Sequence, residues 1–515
     1  MNLPSISAAR DHASQTPSEP SVITLRAGRL QGAWAPSACG PDVRTFKGIP
    51  YAAAPVETLR WKPPQAAPAW QGLRDATEFG PDAPQSPDAW LRGPQQSEDC
   101  LYLNVWAPAQ VAEAALPVMV WIHGGGFAGG SGSDARSDGA ALAARGVVVV
   151  SFNYRCGLFG FLAHPALSAE SPHGVSGNYG LLDQLAALRW VQDNIAAFGG
   201  DPQRVTAFGV SAGSASISLL LTSAQSIGLF QQAILHSPGA CRPLASLLKA
   251  EQAGQALGYD ILALRQLTAG DLLKKTGLLT PKVRGLTTPR VLRPIRDGWL
   301  LKQNERDAFK AGKLHAMPLV VGSNADEGSL LTAAWPVDRL DHYRDMVQAN
   351  FGHASDAALV LYPAPTDTQA KSAVAALFAD TQFNYGTRLL AHSMAAHEAR
   401  TWRYLFKRRR PGQRDGPHHG EEVAHVFGNL RAAPPGETAA ADATDEAIST
   451  AMMQAWVAFA HRGDPNAADL AHWPPYDPAQ DNFLCFDDTV HVDQHWRGPQ
   501  LDFLEHFYSS AAPSS

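Results

Sequence analysis

The chain has 515 residues, 45% hydrophobic and 17% charged, with a formal net charge of -6. Such a composition supplies apolar surface for a large core and excludes a disordered or fibrous chain, and its mild acidity argues against a nucleic-acid partner, the run Lys407-Arg408-Arg409-Arg410 reading as a solvated loop. Five scattered cysteines, Cys39, Cys100, Cys156, Cys241 and Cys485, in no C-x-x-C pairing, predict mostly reduced thiols and no metal site.

Along the chain, Met1 to about Pro20 is polar and rich in Ser, Ala and Pro, which predicts a disordered tail over residues 1–20 without an export signal. No apolar run approaches the roughly 18 to 20 residues of a membrane span, and the expected compartment is the cytoplasm, or a secreted or periplasmic setting if a leader was removed. Short alternating runs within residues 21–48 predict an antiparallel hairpin. Residues 50–98, rich in Pro, Ala and Trp, predict a long irregular cover. The centre alternates strand and helix: Val118 to Ile122, a short helix near Ala135 to Arg145, and Val147 to Phe152 as a strand buried on both faces. A helix stripe of Leu181, Leu182, Leu185, Leu188, Val191 and Ile195 then stops at Gly199-Gly200, before a strand at Val205 to Phe208. That order predicts an α/β fold with right-handed crossovers. Further strands are expected at Gln232 to His236, Pro318 to Gly322 and Thr401 to Phe406, with helical insertions over residues 245–310 and 328–395. The whole reads as a single catalytic domain over residues 21–508, with a flexible tail at 509–515.

Gly209-Val210-Ser211-Ala212-Gly213 follows the Val205 strand, the setting of a G-x-S-x-G elbow that lifts a serine hydroxyl above a sheet. A serine needs a base, and the base needs a third group to fix its tautomer. In this kind of fold they follow in the order serine, acid, histidine. Gly322-Ser323-Asn324-Ala325-Asp326-Glu327-Gly328 stands where the acid is expected, and His418-His419-Gly420-Glu421-Glu422 where the base is expected. His123-Gly124-Gly125-Gly126-Phe127 leaves a strand as a loop whose backbone N–H groups can stabilise an oxyanion.

These motifs, with Glu98 to Val105, Asn153-Tyr154-Arg155, Gly177 to Gln184, Asn194 through Asp201-Pro202, Gly463 to Asn466 and Trp473-Pro474, make the chain resemble the carboxylesterase type B family, which includes cholinesterases and para-nitrobenzyl esterases. The resemblance runs from about Gly28 to about Phe507. It implies an α/β-hydrolase fold: a large central mixed, mostly parallel sheet, helices on both faces and helical insertions over the active site. It also implies hydrolysis of a small-molecule carboxylic ester through an acyl-serine, without cofactor or metal. Ser211 would be the nucleophile, Glu327 the acid, His419 the base, and the amides of Gly125, Gly126 and Ala212 the oxyanion hole. Asp326, His418 and His425 are set aside as neighbours. Ser237 resembles a serine that supports the acid in relatives, although Pro238 interrupts the usual segment there.

Pro238 is one of three departures from the family, and two more stand out. Val210 replaces the common Glu before the nucleophile. Ala83 replaces the cysteine partner of Cys100, so the covering loop is expected to lack its disulfide, unless Cys39 substitutes, and to be more mobile. Trp90 stands at the cholinesterase spacing for a cation-stacking tryptophan, but packing is the favoured reading. Amides, carbamates or a complex polyester at the same site stay open as targets, as does, less favoured, a silent binding protein on this fold.

Overall fold

A computed structural model describes residues 21–37, 40–110, 114–280, 285–397, 400–432 and 441–510. The expected tail at 1–20 and Cys39 lie outside these residues. Thirteen strands form one sheet: β1 (Ser21–Leu25), β2 (Gly28–Ala35), β3 (Val43–Pro50), β4 (Leu73–Asp75), β5 (Tyr102–Pro108), β6 (Leu116–Ile122), β7 (Val148–Phe152), β8 (Gly200–Val210), β9 (Gln232–His236), β10 (Leu319–Asn324), β11 (Thr401–Phe406), β12 (Asn482–Phe486) and β13 (Val490–Gln494). Their order is β1-β2-β3-β5-β7-β6-β8-β9-β10-β11-β12-β13, with β4 beside β2. From β7 to β12 every neighbouring pair is parallel, and the flanking pairs are antiparallel except β2 with β4, which is parallel. This mixed, mostly parallel sheet with helices is the architecture of an α/β-hydrolase.

Alternation along β6 shows why the sheet is sandwiched. Val118, Val120 and Ile122 join the apolar cluster on one face, with the helix Tyr179–Asn194. Met119 and Trp121 join the cluster on the other, with the helix Ala443–Arg462. Each fully buried Leu, Phe or Met side chain favours folding by about 1.5–3 kcal/mol. The chain runs from β6 outward to β7, then returns to the far side of β6 as β8. The loops leaving the carboxyl ends of β6 and β8 therefore part company, and such a switch point opens a crevice for ligand.

Strands β4, β5, β12 and β13 were not among the expected elements, and β4 lies within the segment read as irregular. Residues 285–304 form no regular helix, against the helical reading of 245–310; Pro289 and Pro294 remove donors there, and Gly298 sits at φ 78°. The final helix, Gly498–Ser510, carries Ser509 and Ser510 in its last turn, where the flexible tail was expected to begin.

Candidate active site

Ser211 sits between the end of β8 and the helix Ala212–Leu220 with φ 56° and ψ -118°, a conformation rarely adopted by residues with a side chain. Its N–H donates to the His236 carbonyl at 2.9 Å, tying the turn to the end of β9. The flanking glycines are steric necessities. A Cβ on Gly213 would stand 1.9 Å from the Ile122 carbonyl oxygen, and one on Gly209 would stand 2.6 Å from it. The elbow is thus pressed against the end of β6.

The glycine-rich loop leaves β6 at the same point. Gly125 and Gly126 have φ of 106° and 64°, and the Gly125 carbonyl accepts from the amides of Ala128 and Gly129 at 3.0 and 3.2 Å. Among the described residues, the N–H groups of Gly125, Gly126 and Ala212 donate to no protein acceptor. All three residues line one cavity of about 710 Å³ with Ser211 and His419.

Glu327 follows β10 and is 1% exposed. One of its oxygens, Oε1, accepts from the Ser237 hydroxyl at 2.5 Å and from the Asn324 amide at 2.6 Å; the other, Oε2, is hydrogen-bonded to His419 Nδ1. The remaining ring nitrogen, His419 Nε2, is buried and among the described residues has no hydrogen-bond partner, the Ser211 hydroxyl included. Burial by itself disfavours the charged imidazole, but the charge of Glu327, its hydrogen bond and the charge of Glu422 together raise the pKa of His419 above its ordinary value. The Phe383 ring leans over the imidazole.

Behind this arrangement lies a second carboxyl that sequence reasoning did not single out. Glu422 Oε2 accepts from Asn324 Nδ2 at 2.5 Å, and the same amide donates to the His418 carbonyl at 2.6 Å. Burial, then the neighbouring charge of Glu327, pushes the Glu422 carboxyl up to about 7. Asn324 therefore joins the acid's loop to the base's loop.

The residues set aside lie elsewhere. Asp326 accepts from the amides of Ser329 at 2.9 Å and Gly416 at 3.0 Å, and its Oδ2 is 3.7 Å from His418 Nδ1. His425 points to Asp445, 3.5 Å away. Ser237, despite Pro238, does reach the acid. Val210 lines the cavity.

Trp90 also lines the cavity, but the Arg136 guanidinium stacks 4.5 Å from its ring centroid. Arg136 is in turn paired with Asp134 at 2.6 Å. The tryptophan thus carries an internal cation. Cys100 is buried and unpaired, and polar contacts hold the covering loop instead. Asp82 accepts from the hydroxyls of Ser131 and Ser133, Gln85 Nε2 donates to the Gly130 carbonyl at 2.9 Å, and Gln85 Oε1 accepts from the Gly130 amide at 2.6 Å. Hydrogen bonds thus tie the loop that lacks the disulfide to the glycine-rich loop and the serines after it. No helix among the described residues is long and apolar enough to cross a membrane.

The sequence pattern of the Carboxylesterase family matches residues 19–504. The chain is 49% identical over 442 residues to a fumonisin B1 esterase of Sphingopyxis macrogoltabida, covering 85% of this chain and 82% of the relative. It is 35% identical over 492 residues to a para-nitrobenzyl esterase of Bacillus subtilis, covering 92% and 96%, and 34% identical over 502 residues to a cocaine esterase of Oryctolagus cuniculus, covering 90% and 91%. A strained serine between two glycines, at the switch point of a mostly parallel sheet, is thus found in a chain that belongs to the carboxylesterase family and hydrolyses carboxylic esters.

Proposed function

We propose that Ser211, His419 and Glu327 carry out this hydrolysis as nucleophile, general base and orienting acid, with the amides of Gly125, Gly126 and Ala212 receiving the oxyanion. The observation that carries the assignment is His419: Nδ1 is held by Glu327, while Nε2 is unpartnered and shares a cavity with Ser211. Fixing Nδ1–H against a carboxylate leaves Nε2 as the basic nitrogen. Contacts between nucleophile and base commonly close only when substrate binds.

His419 Nε2 takes the Ser211 proton as Oγ bonds to the ester carbonyl carbon, and the carbonyl oxygen becomes an oxyanion facing the three amides. On collapse, the bond to the alcohol oxygen breaks, and that oxygen leaves with the proton from His419. Water then attacks the acyl-serine with His419 again as base, and the acid departs as Ser211 Oγ regains its proton. Because the amides are already turned and otherwise unengaged, they need no reorganisation as charge develops.

One catalytic domain over residues 21–508 is supported by a single sheet that runs from β1 to β13. A cytoplasmic setting is supported by four buried, unpaired cysteines. Similarity to a fumonisin B1 esterase favours a large natural ester, and a cavity of about 710 Å³ has room for one. Ser211→Ala should lower kcat on 4-nitrophenyl acetate by about 10⁴-fold or more and abolish labelling by a fluorophosphonate probe. Full activity in that variant would refute the assignment.

A further inference from the structure

The helix Asp367–Ala379 does not pass directly into the helix Tyr385–Ala395. Between them Asp380–Asn384 forms a π-turn, in which the Tyr385 N–H donates to the Asp380 carbonyl five residues back. Such a turn holds one residue more than an α-turn, and without it the residues beyond would face about 100° away round the axis. All five of its residues are buried, and two of them, Gln382 and Phe383, line the catalytic cavity. The Phe383 ring stands over His419, the centroids 4.3 Å apart. The wide turn is what aims that ring at the base.

π-turns are rare, and this one is locked by a carboxylate with no exposure, Asp380. Its Oδ1 accepts from Asn384 Nδ2 at 2.8 Å, which closes the turn on itself. Its Oδ2 accepts from the Tyr362 hydroxyl at 2.8 Å. Arg497 Nε stands 2.6 Å from both oxygens, and the Arg497 guanidinium also reaches Oδ2 through Nη2 at 2.6 Å. A buried carboxylate stays charged only with a well-placed opposite charge beside it, and Arg497 is that charge.

Arg497 lies 117 positions beyond Asp380, directly before the final helix, Gly498–Ser510. Its backbone has φ 55°, in the left-handed region that residues with a side chain rarely adopt. Strain of this kind persists where the surroundings hold it, and it gathers near functional sites. Here the ion pair holds the side chain, while the Leu501 N–H donates to the Arg497 carbonyl at 3.0 Å. The final helix grips the far end of the turn as well: Glu505 accepts from the Tyr385 hydroxyl at 2.8 Å.

We infer that Arg497 is a positioning residue for ester hydrolysis: its pairing with Asp380 keeps the π-turn wide, and the turn keeps Phe383 over His419. The inference rests on His419 being the general base.

The test is a double-mutant cycle on kcat for 4-nitrophenyl acetate, measured on the folded fraction from gel filtration. Arg497→Met should lower kcat by about fivefold or more, as a misplaced catalytic group does. Arg497→Lys, which keeps the charge, should retain more activity than Arg497→Met. With Phe383→Ala already in place, Arg497→Met should lower kcat less than about twofold further, because the ring through which it acts is gone. A smaller loss in Arg497→Met alone, a lysine variant no better than the methionine one, or a larger loss beside Phe383→Ala overturns the inference. Where Arg497→Met gives no folded protein, Tyr362→Phe takes its place, since it withdraws one donor from Asp380 and strands no charge. It should lower kcat by about threefold or more alone and less than about 1.5-fold beside Phe383→Ala, and any other result overturns the inference. His419→Gln separates the two readings: if it lowers kcat by about 10⁴-fold or more while the cycle fails, only the Arg497 assignment falls.

Discussion

The Phe383 ring leans over the His419 imidazole, their centroids 4.3 Å apart and their planes 33° apart. Glu327 fixes one nitrogen of that imidazole, and Phe383 limits how far the ring can tip about the fixed bond. Phe383→Ala should therefore lower kcat by about tenfold, as a misplaced catalytic group does. It should also cost about 3–5 kcal/mol of stability, because the ring is buried. Steady-state kinetics alongside a thermal melt separates the two effects; an unchanged kcat would make the contact mere packing.

The pH profile follows from the sign of the shift at His419. Its neutral form accepts the serine proton, and its pKa is raised, burial being outweighed by Glu327 and Glu422. The logarithm of kcat/KM should climb with slope one at acid pH and level off through a midpoint above about 6.5. Glu327→Gln removes the dominant raising charge, so the midpoint should move down, and kcat should drop by about 10⁴-fold. A midpoint that stays put in this variant would place the titrating group elsewhere.

Two glycines should respond to very different degrees to the same added methyl. At Gly213 a Cβ meets the Ile122 carbonyl oxygen at 1.9 Å, and Gly213→Ala should yield insoluble or unfolded protein. At Gly126 nothing lies within 4 Å, and the residue only needs φ 64°. Gly126→Ala should fold with a loss of about 1–2 kcal/mol, read as a lowered Tm.

Val210 and a Cβ built on Gly420 approach within 4.0 Å, so a side chain at position 210 stands beside the base's loop. Val210→Glu would place a carboxylate there. The acid limb of the pH profile should then move up by about one pH unit. A profile superimposable on that of the wild type would show the new carboxylate turned away from the cavity.

Local motifs were legible because their chemistry is written in a few adjacent residues. Gly209 and Gly213 bracket Ser211 for a reason the coordinates express in ångströms, and the chain order of serine, acid and histidine followed from strand ends. What escaped was whatever depends on direction between distant segments. Glu422 looked like one more acid in a polar loop until Asn324, 98 positions away, was seen to bind it. The cavity lining also draws on residues 242, 290, 293 and 382, and no periodicity joins them. Residues 285–304 carry apolar residues at spacings that suggest helix, yet prolines and glycines break them into bends that present Arg290 and Arg293 to the cavity.

The cover over the cavity is fastened by Asp82 and Gln85 to serine hydroxyls and a glycine amide, while Cys100 stays buried and alone. A fastening without sulfur is insensitive to dithiothreitol. It is sensitive instead to acid: protonating Asp82 removes the charge that strengthens the hydrogen bonds from both hydroxyls, and that tie to the glycine-rich loop weakens.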